Sequence, residues 1–436
     1  MPRKPLLPVL RQHIDDAASL RQVRAVLLRA PHVQLHRLRR VDDRLAAHLD
    51  GIAVAVADAE GLTLLEPTFA DFSTGGFFIL VTQALQRRDA SWLQRAVALA
   101  ATTTEAERGF LSAMGWVSSE DLQGTVRALL GSTVPQHRAW GLAACAMHRV
   151  DPGPVLAQAL QDADPLVQTR AWRVAGQMGR VGLADAARYV LNHPAKPGHE
   201  AVLLAASWAL TLWAAGAADN VRAVLLQADP DDDSGLPCEA AHRLATIAAS
   251  MEWGRDQVRT MASQADTSVP HKRRMMRLAA WVGDVQVIPW LIHHMADDVW
   301  ARLSGEAFSM ITGVDLAFLD LERKPPEGVD FGPHDNPEDE NVALDEDDSL
   351  PWPDQAKVQA WWQANAQRFL PGQRYFAGEP PSPKHCVEVL KSKGQRQRIM
   401  AAEYLCLLRP GARLFPVAAP AWRQSRWLAE EEAALS

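Results

Sequence analysis

The chain has 436 residues, 48% of them apolar and 22% charged, which is enough for two or three domains or for one elongated array of helices. So large an apolar fraction can bury an extensive core, so the composition excludes wholesale disorder. The formal net charge of −7 argues against a nucleic-acid-binding protein, because such proteins usually carry a basic excess. Four separated cysteines without a CxxC pair are typical of reduced thiols in a cytoplasmic protein.

Residues 1–100 are predicted to form an N-terminal helical region. Its plainest amphipathic stretches run from His36 to Leu49 and from Trp92 to Ala101. Only six residues separate Lys4 from Arg11, and two prolines interrupt them, so this segment is too short for the apolar part of a signal peptide. We therefore expect a soluble protein in the cytoplasm.

Residues 101–320 are predicted to form an array of helix-pair repeats. The tripeptide Arg138-Ala139-Trp140 recurs 32 residues later at 170–172, and Ser207-Trp208 follows 36 residues further on. That interval is the length of a helix-turn-helix unit. Such helices cannot bury their apolar faces alone, so we expect them to stack into a continuous core that contains most of the tryptophans.

One apolar stretch in this array has the length of a membrane span. Residues 201–218 contain no charge, and eleven of the eighteen are Ala, Gly, Ser or Thr. Because similar helices precede and follow this stretch, we interpret it as a buried central helix and expect no membrane contact.

Residues 321–356 are predicted to be an acidic, proline-rich loop or linker. They hold six prolines, and eleven Asp or Glu occur between Glu327 and Asp354. Residues 357–436 return to helical patterning as a C-terminal helical region, and Lys384 to Arg426 carries nine Lys or Arg against two Glu. The fold class is therefore predicted as all-α, a HEAT-like α-solenoid with additional helical N- and C-terminal regions.

The two charged stretches are the most suggestive feature for function. They are expected to face each other, or either one to meet a partner; a solvated loop beside an ordinary basic helical face remains the plainer alternative. A tryptophan between prolines in the acidic segment is either an interface anchor or tucked against the protein's own core. The candidate interaction residues are Asp345, Glu346, Asp347, Asp348, Trp352, Arg396 and Arg398.

No pattern for catalysis, a cofactor or a metal emerges. The stretch Asp229–Gly235 begins like a calcium loop, but its glycine comes one place late and Ala240 stands where a bidentate Glu is required. The glycine-rich Ser73–Gly76 lacks the lysine and spacing of a phosphate-binding loop, so it is predicted to be a turn. Two pairs have helical spacing without further ligands, namely His32 with His36 and His293 with Asp297.

The stretch 164–171, with Asp-Pro, Val, Arg and Ala at their usual intervals, resembles a HEAT repeat. More broadly, the chain resembles an uncharacterised proteobacterial family of HEAT-like proteins that is often encoded beside type VI secretion genes. The segments that carry this likeness are 29–52, 308–316, 351–354 and 394–428. The resemblance implies an architecture and a genomic setting, and it implies no biochemistry.

These observations predict a non-catalytic scaffold, adaptor or chaperone that binds another protein in a helical groove, and the resemblance implies a type VI secretion component or effector as that partner. An immunity protein for a secreted toxin is an alternative of the same class. A HEAT-like nucleic-acid enzyme such as a DNA glycosylase is a less favoured one, supported by ten Lys or Arg against five Asp in residues 1–50. A continuous basic groove would favour nucleic acid, and a mixed or apolar groove would favour protein.

Overall fold

The computed structural model describes residues 6–57, 61–66, 73–193, 198–214, 224–226, 238–264, 268–327 and 345–435. Over these ranges the chain is helical, without a β-strand, and the extended pairings are three isolated bridges. The predicted all-α fold class is confirmed. The calcium-like stretch at 229–235 lies outside the described residues.

The α-helices of the described residues are, in chain order, α1 (Leu7–Leu27), α2 (Leu35–Ala55), α3 (Thr74–Arg87), α4 (Ala90–Ala100), α5 (Thr104–Trp116), α6 (Thr125–Leu130), α7 (Pro135–Met147), α8 (Pro154–Ala159), α9 (Pro165–Gln177), α10 (Ala184–Asn192), α11 (Glu200–Leu212), α12 (Cys238–Ala248), α13 (Met251–Ser263), α14 (Val269–Val282), α15 (Ile288–His294), α16 (Ala301–Thr312), α17 (Gln355–Asn365), α18 (Pro383–Ser392), α19 (Gln395–Leu408) and α20 (Ala421–Ala433). Short 3-10 helices cover Gly61–Leu65, Val181–Leu183, Val285–Val287 and Ala366–Arg368.

Local capping signals set several of these boundaries. The Asp164 carboxylate accepts a hydrogen bond from the Leu166 N–H at 2.9 Å, and α9 starts at the proline between them. The Ser73 hydroxyl accepts the N–H of Gly76 at 3.1 Å. The prediction of a turn at 73–76 was therefore wrong, because these residues form the N-cap and first turn of α3.

Alternate helices form a layer that runs through the molecule. Each member of the set α3, α5, α7, α9, α11, α12, α14 and α16 packs against the next, and we call this set the inner layer. The shorter helices between them pack onto their neighbours in the layer. Trp140, Trp172, Trp208 and Trp281 lie within it and are 2–6% exposed. The expectation that these tryptophans serve packing is confirmed.

The helix formed by the apolar stretch at 201–218 is shorter than a membrane span requires. Helix α11 covers Glu200–Leu212, which is 13 residues, and residues 215–218 lie outside the described part of the chain. Among the described residues, no helix combines the length and the apolar character needed to cross a bilayer.

The C-terminal region packs against the inner layer. Helix α19 contacts α11 and α12, while α20 contacts α2 near the N-terminus. At the centre of this contact, the guanidinium of Arg243 in α12 donates to both carboxylate oxygens of Glu403 in α19 at 2.8 Å each. The two residues are 8% and 4% exposed, so the ion pair is buried.

Residues 374–423, here called the C-terminal strap, also bind the ends of inner-layer helices. At the end of α14, the N–H of Tyr375 donates to the Gly283 carbonyl at 2.8 Å. At the end of α16, the N–H of Ala377 donates to the Met310 carbonyl at 2.6 Å. The last carbonyls of a helix have no hydrogen-bond donor within the helix, so these contacts supply donors to carbonyls that would otherwise be buried without one.

Two arginines of the strap act on helix ends in the same way. Arg374 donates to the carbonyls at 247 and 249, at the end of α12. Arg423 donates to the three carbonyls at 115–117, at the end of α5, over 2.7–3.2 Å. A guanidinium at a helix C-terminus also meets the negative end of the helix dipole. The strap thus binds the ends of α12, α14 and α16 in chain order at 374–377 and the end of α5 at Arg423.

Candidate functional site

The acidic segment at 345–348 is bound to the protein's own arginines. The Arg273 guanidinium donates to both oxygens of the Asp347 carboxylate at 2.6 and 2.7 Å, and Asp347 is 3% exposed. Arg302 forms an ion pair with Asp345 at 2.6 Å and donates to the Asp347 carbonyl at 3.0 Å. Arg273 and Arg302 lie in α14 and α16, so this part of the segment is docked on the array.

Glu346 and Arg396 show how the two charged stretches meet. The Glu346 carboxylate accepts from Arg273 at 3.0 Å and from Arg277 at 2.9 Å, and its carbonyl accepts from Arg396 at 3.0 Å. Arg396 also forms an ion pair with Glu306 at 2.6 Å. Most of the arginines facing the acidic segment therefore come from the array, and the basic run at 272–277 was the signal that sequence reasoning missed.

Trp352 and Asp348 complete the acidic candidates. The indole of Trp352 is 6% exposed, with the guanidinium carbons of Arg302 and Arg323 at 4.8 and 5.3 Å from its ring centroid. These are cation–π distances, so Trp352 is tucked against the protein's own core. Asp348 is exposed, and its carboxylate accepts from the hydroxyl of Ser349 at 3.3 Å.

Arg398 lies in the interior, with none of its side chain exposed. Its guanidinium donates to the Leu390 carbonyl and to the side chain of Gln395, both at 2.7 Å, and to the side chain of Gln424. Burial lowers the pKa of this guanidinium to about 10. Arg398 thus joins α18, α19 and α20, and the described surface does not present it to a partner.

Asp347→Ala is expected to lower the free energy of unfolding by about 2–3 kcal/mol at neutral pH, because it leaves the largely buried Arg273 with only the exposed carboxylate of Glu346 as a partner. Burial alone would raise the pKa of Asp347, but the hydrogen bonds and charge of Arg273 outweigh it and hold the pKa below its ordinary value. The contribution of Asp347 is therefore present above about pH 4 and is lost as the pH falls further, through the lowered pKa of the folded state.

Chemical denaturation of wild type and Asp347→Ala at neutral and acidic pH measures this difference. Asp348→Ala is the matched control, because that neighbouring carboxylate is exposed and should change the free energy of unfolding by less than about 0.5 kcal/mol. An equal loss at both pH values for Asp347→Ala would contradict the assignment of the effect to the charged carboxylate.

A surface groove of about 860 Å³ lies beside the docked acidic segment. Its walls are the loop and helix start at 31–37, the end of α16 with the turn at 313–325, the segment 349–352, and the start of α19 at 393–397. Residues far apart in the chain are therefore brought together here.

The groove has an apolar base and an aromatic rim. Met310, Leu316 and Leu350 are buried below it, whereas Phe318 is 84% exposed. The turn that carries this phenylalanine is held by its own hydrogen bonds, since the Asp315 carboxylate accepts the Phe318 N–H at 3.0 Å. A large apolar side chain is thus fixed in solvent at the edge of a groove.

Charges of both signs line the groove. Arg37, Arg323, Lys324, Lys393 and Arg396 accompany Glu306, Asp315, Asp320 and Glu322. Two of these arginines form ion pairs with carboxylates, since Arg396 pairs with Glu306 and Arg323 pairs with Asp298. The ammonium of Lys393 donates to a backbone carbonyl, that of Gly313, at 2.9 Å. The lining is therefore mixed and is not a continuous basic surface.

Among the described residues, one cysteine lies beside a histidine, since the Cys238 thiol is 3.5 and 3.7 Å from the two ring nitrogens of His242. No group of three or more His, Cys, Asp or Glu there is placed to hold a metal ion. His32 lines the groove, and His36 and His293 are exposed. Burial raises the pKa of Cys145 to about 11 and of Cys386 and Cys406 to about 12, so these thiols stay protonated and are weak nucleophiles.

The fold and the groove define an all-helical protein with a mixed-polarity surface cleft and an exposed aromatic rim. Comparison with protein-family models, curated proteins and solved structures finds no match to this chain.

Proposed function

We propose that this chain is a non-catalytic protein-binding scaffold, adaptor or chaperone, and that the groove beside Phe318 is its binding surface. The observation that carries this proposal is the 84% exposure of Phe318 on a hydrogen-bonded turn at the groove edge. Protein interfaces typically contain a few aromatic anchors surrounded by polar groups, and here one exposed aromatic stands among charged side chains. A groove of 860 Å³ has room for several side chains of a partner.

The position of the C-terminal strap supports this choice of surface. The C-terminal strap, which includes α19, packs along the inner layer, so that face already has an occupant from the same chain. The groove lies beside the start of α19 and the acidic segment, next to α2 and α16. A partner can reach it without displacing the buried pair between Arg243 and Glu403.

The family resemblance suggests a type VI secretion component or effector as the partner and the cytoplasm as the location. An immunity protein that neutralises a secreted toxin would use the same kind of surface. The mixed charge of the groove gives less support to a DNA glycosylase, because a phosphodiester backbone requires a basic channel.

Phe318→Ala is expected to weaken partner binding at least tenfold, because aromatic residues at the edge of a groove commonly act as interface hot spots. The partner is first captured from native lysate by a photo-reactive amino acid at position 318, then purified and titrated against both forms of the chain. Tyr189→Ala is the matched control, since that aromatic is 63% exposed on α10. Equal affinities of wild type and Phe318→Ala would refute the groove as the binding surface.

A further inference from the structure

Helix α2 carries a row of exposed arginines on one face. Arg37, Arg40 and Arg44 are spaced by three and four residues, so they lie side by side on the solvent side of the helix and span about 10 Å. Among the described residues, none of the three has an ion pair or a hydrogen bond from its side chain. Asp42 and Asp43 of the same helix form ion pairs with Arg24 and Arg39, each at 2.6 Å, and not with the row.

This arginine row continues into the groove. Arg37, Lys324 and Lys393 all line the groove. Among the described residues, Lys324 has no ionic partner, and the ammonium of Lys393 donates to a backbone carbonyl. The chain as a whole has a formal charge of −7, so an uncompensated run of cations at this place is a local feature against an acidic background. A surface of this kind attracts and orients carboxylates of a partner.

We propose that the groove and the arginine row together dock an acidic segment of a partner protein. An apolar side chain of that segment contacts Phe318, and its carboxylates meet Arg37, Arg40 and Arg44. This inference rests on the proposed protein-binding function and adds the chemistry of the partner to it.

A protein segment fits the charges better than a nucleic acid or an anionic membrane. Asp315 and Glu322 lie in the same groove as the cations, and they would repel a chain that carries phosphates at regular intervals. A peptide can place its carboxylates against the arginine row only and put neutral or apolar residues beside Asp315 and Glu322. The exposed Phe318 adds an apolar contact that phosphates do not use.

The test uses a fluorescein-labelled peptide with a run of glutamates followed by a tryptophan, titrated with the full chain and followed by fluorescence anisotropy. We expect binding that weakens as the salt concentration rises. The triple variant Arg37→Glu, Arg40→Glu and Arg44→Glu should bind at least about tenfold more weakly, since three exposed ionic contacts are lost and reversed. These arginines are exposed, so the folded structure should survive the change.

The control changes three exposed arginines on other helices, Arg127→Glu, Arg188→Glu and Arg259→Glu, with the same change in net charge. It should bind the peptide as the wild type does. Three results would each overturn the proposal. They are equal weakening in both triple variants, no binding of the acidic peptide to the wild type, and tighter binding of duplex DNA or phosphatidylserine vesicles through the arginine row. If Phe318→Ala weakens binding and the arginine variant does not, the proposed function stands and the acidic partner does not; if neither does, both fall.

Discussion

Glu403→Ala should lower the free energy of unfolding by about 3 kcal/mol, because it leaves the buried guanidinium of Arg243 with only the more exposed carboxylate of Glu239, at 3.9 Å. The Arg243 side chain donates to both oxygens of that carboxylate, and both residues lie where α19 packs on the inner layer. Denaturant-induced unfolding followed by far-UV circular dichroism measures the loss.

The double variant Arg243→Met with Glu403→Leu is the matched control for this prediction. It removes both charges and fills a similar volume with apolar groups, so most of the lost stability should return. A loss below about 1 kcal/mol in Glu403→Ala would show that the pair is open to water and that α19 is not docked as described.

Gly313→Ala should also destabilise strongly, by about 2–5 kcal/mol. Gly313 ends α16 with φ of +72°, and an added Cβ would lie 2.3 Å from the carbonyl oxygen of Ala377 in the C-terminal strap. The left-handed backbone costs about 1–2 kcal/mol for a residue with a side chain, and the clash with backbone atoms adds to it.

Gly372→Ala separates these two contributions. Gly372 has φ of +86°, and nothing lies within 4 Å of its added Cβ, so only the backbone strain of about 1–2 kcal/mol is expected. The difference between the two variants measures how closely the strap packs on the end of α16. Equal losses would mean that the strap moves away from Gly313 at little cost.

Local chemistry was predictable from the sequence because its causes lie within a few residues. Asp164 and the following proline set the start of α9, and Gly179, with φ of +65°, lies just beyond its end. The spacing of the tryptophans, 32 residues from 140 to 172 and 36 from 172 to 208, identified side chains that the inner layer buries, because this interval is the length of one helix-pair repeat.

The candidate site was predictable only in part. The acidic segment and the basic C-terminal stretch were recognised as possible partners, but the choice between mutual contact, a partner and solvent depended on distant residues. Asp347 binds Arg273, which is 74 positions away, and Trp352 lies under Arg302 and Arg323. A run of charged residues has the same composition whether it contacts its own chain, a partner or solvent, so its sequence does not distinguish these three possibilities.

The sequence by itself determined that the chain is helical, where several helices begin and end, and which tryptophans are buried, because capping and periodicity act over one or two turns. Only the tertiary structure decided that Arg398 is buried, that Phe318 is exposed, and that the strap covers the inner layer. An arginine goes inside when acceptors from three helices surround it, and a phenylalanine stays outside when a turn holds it there. Both outcomes depend on groups that meet only after the chain has folded.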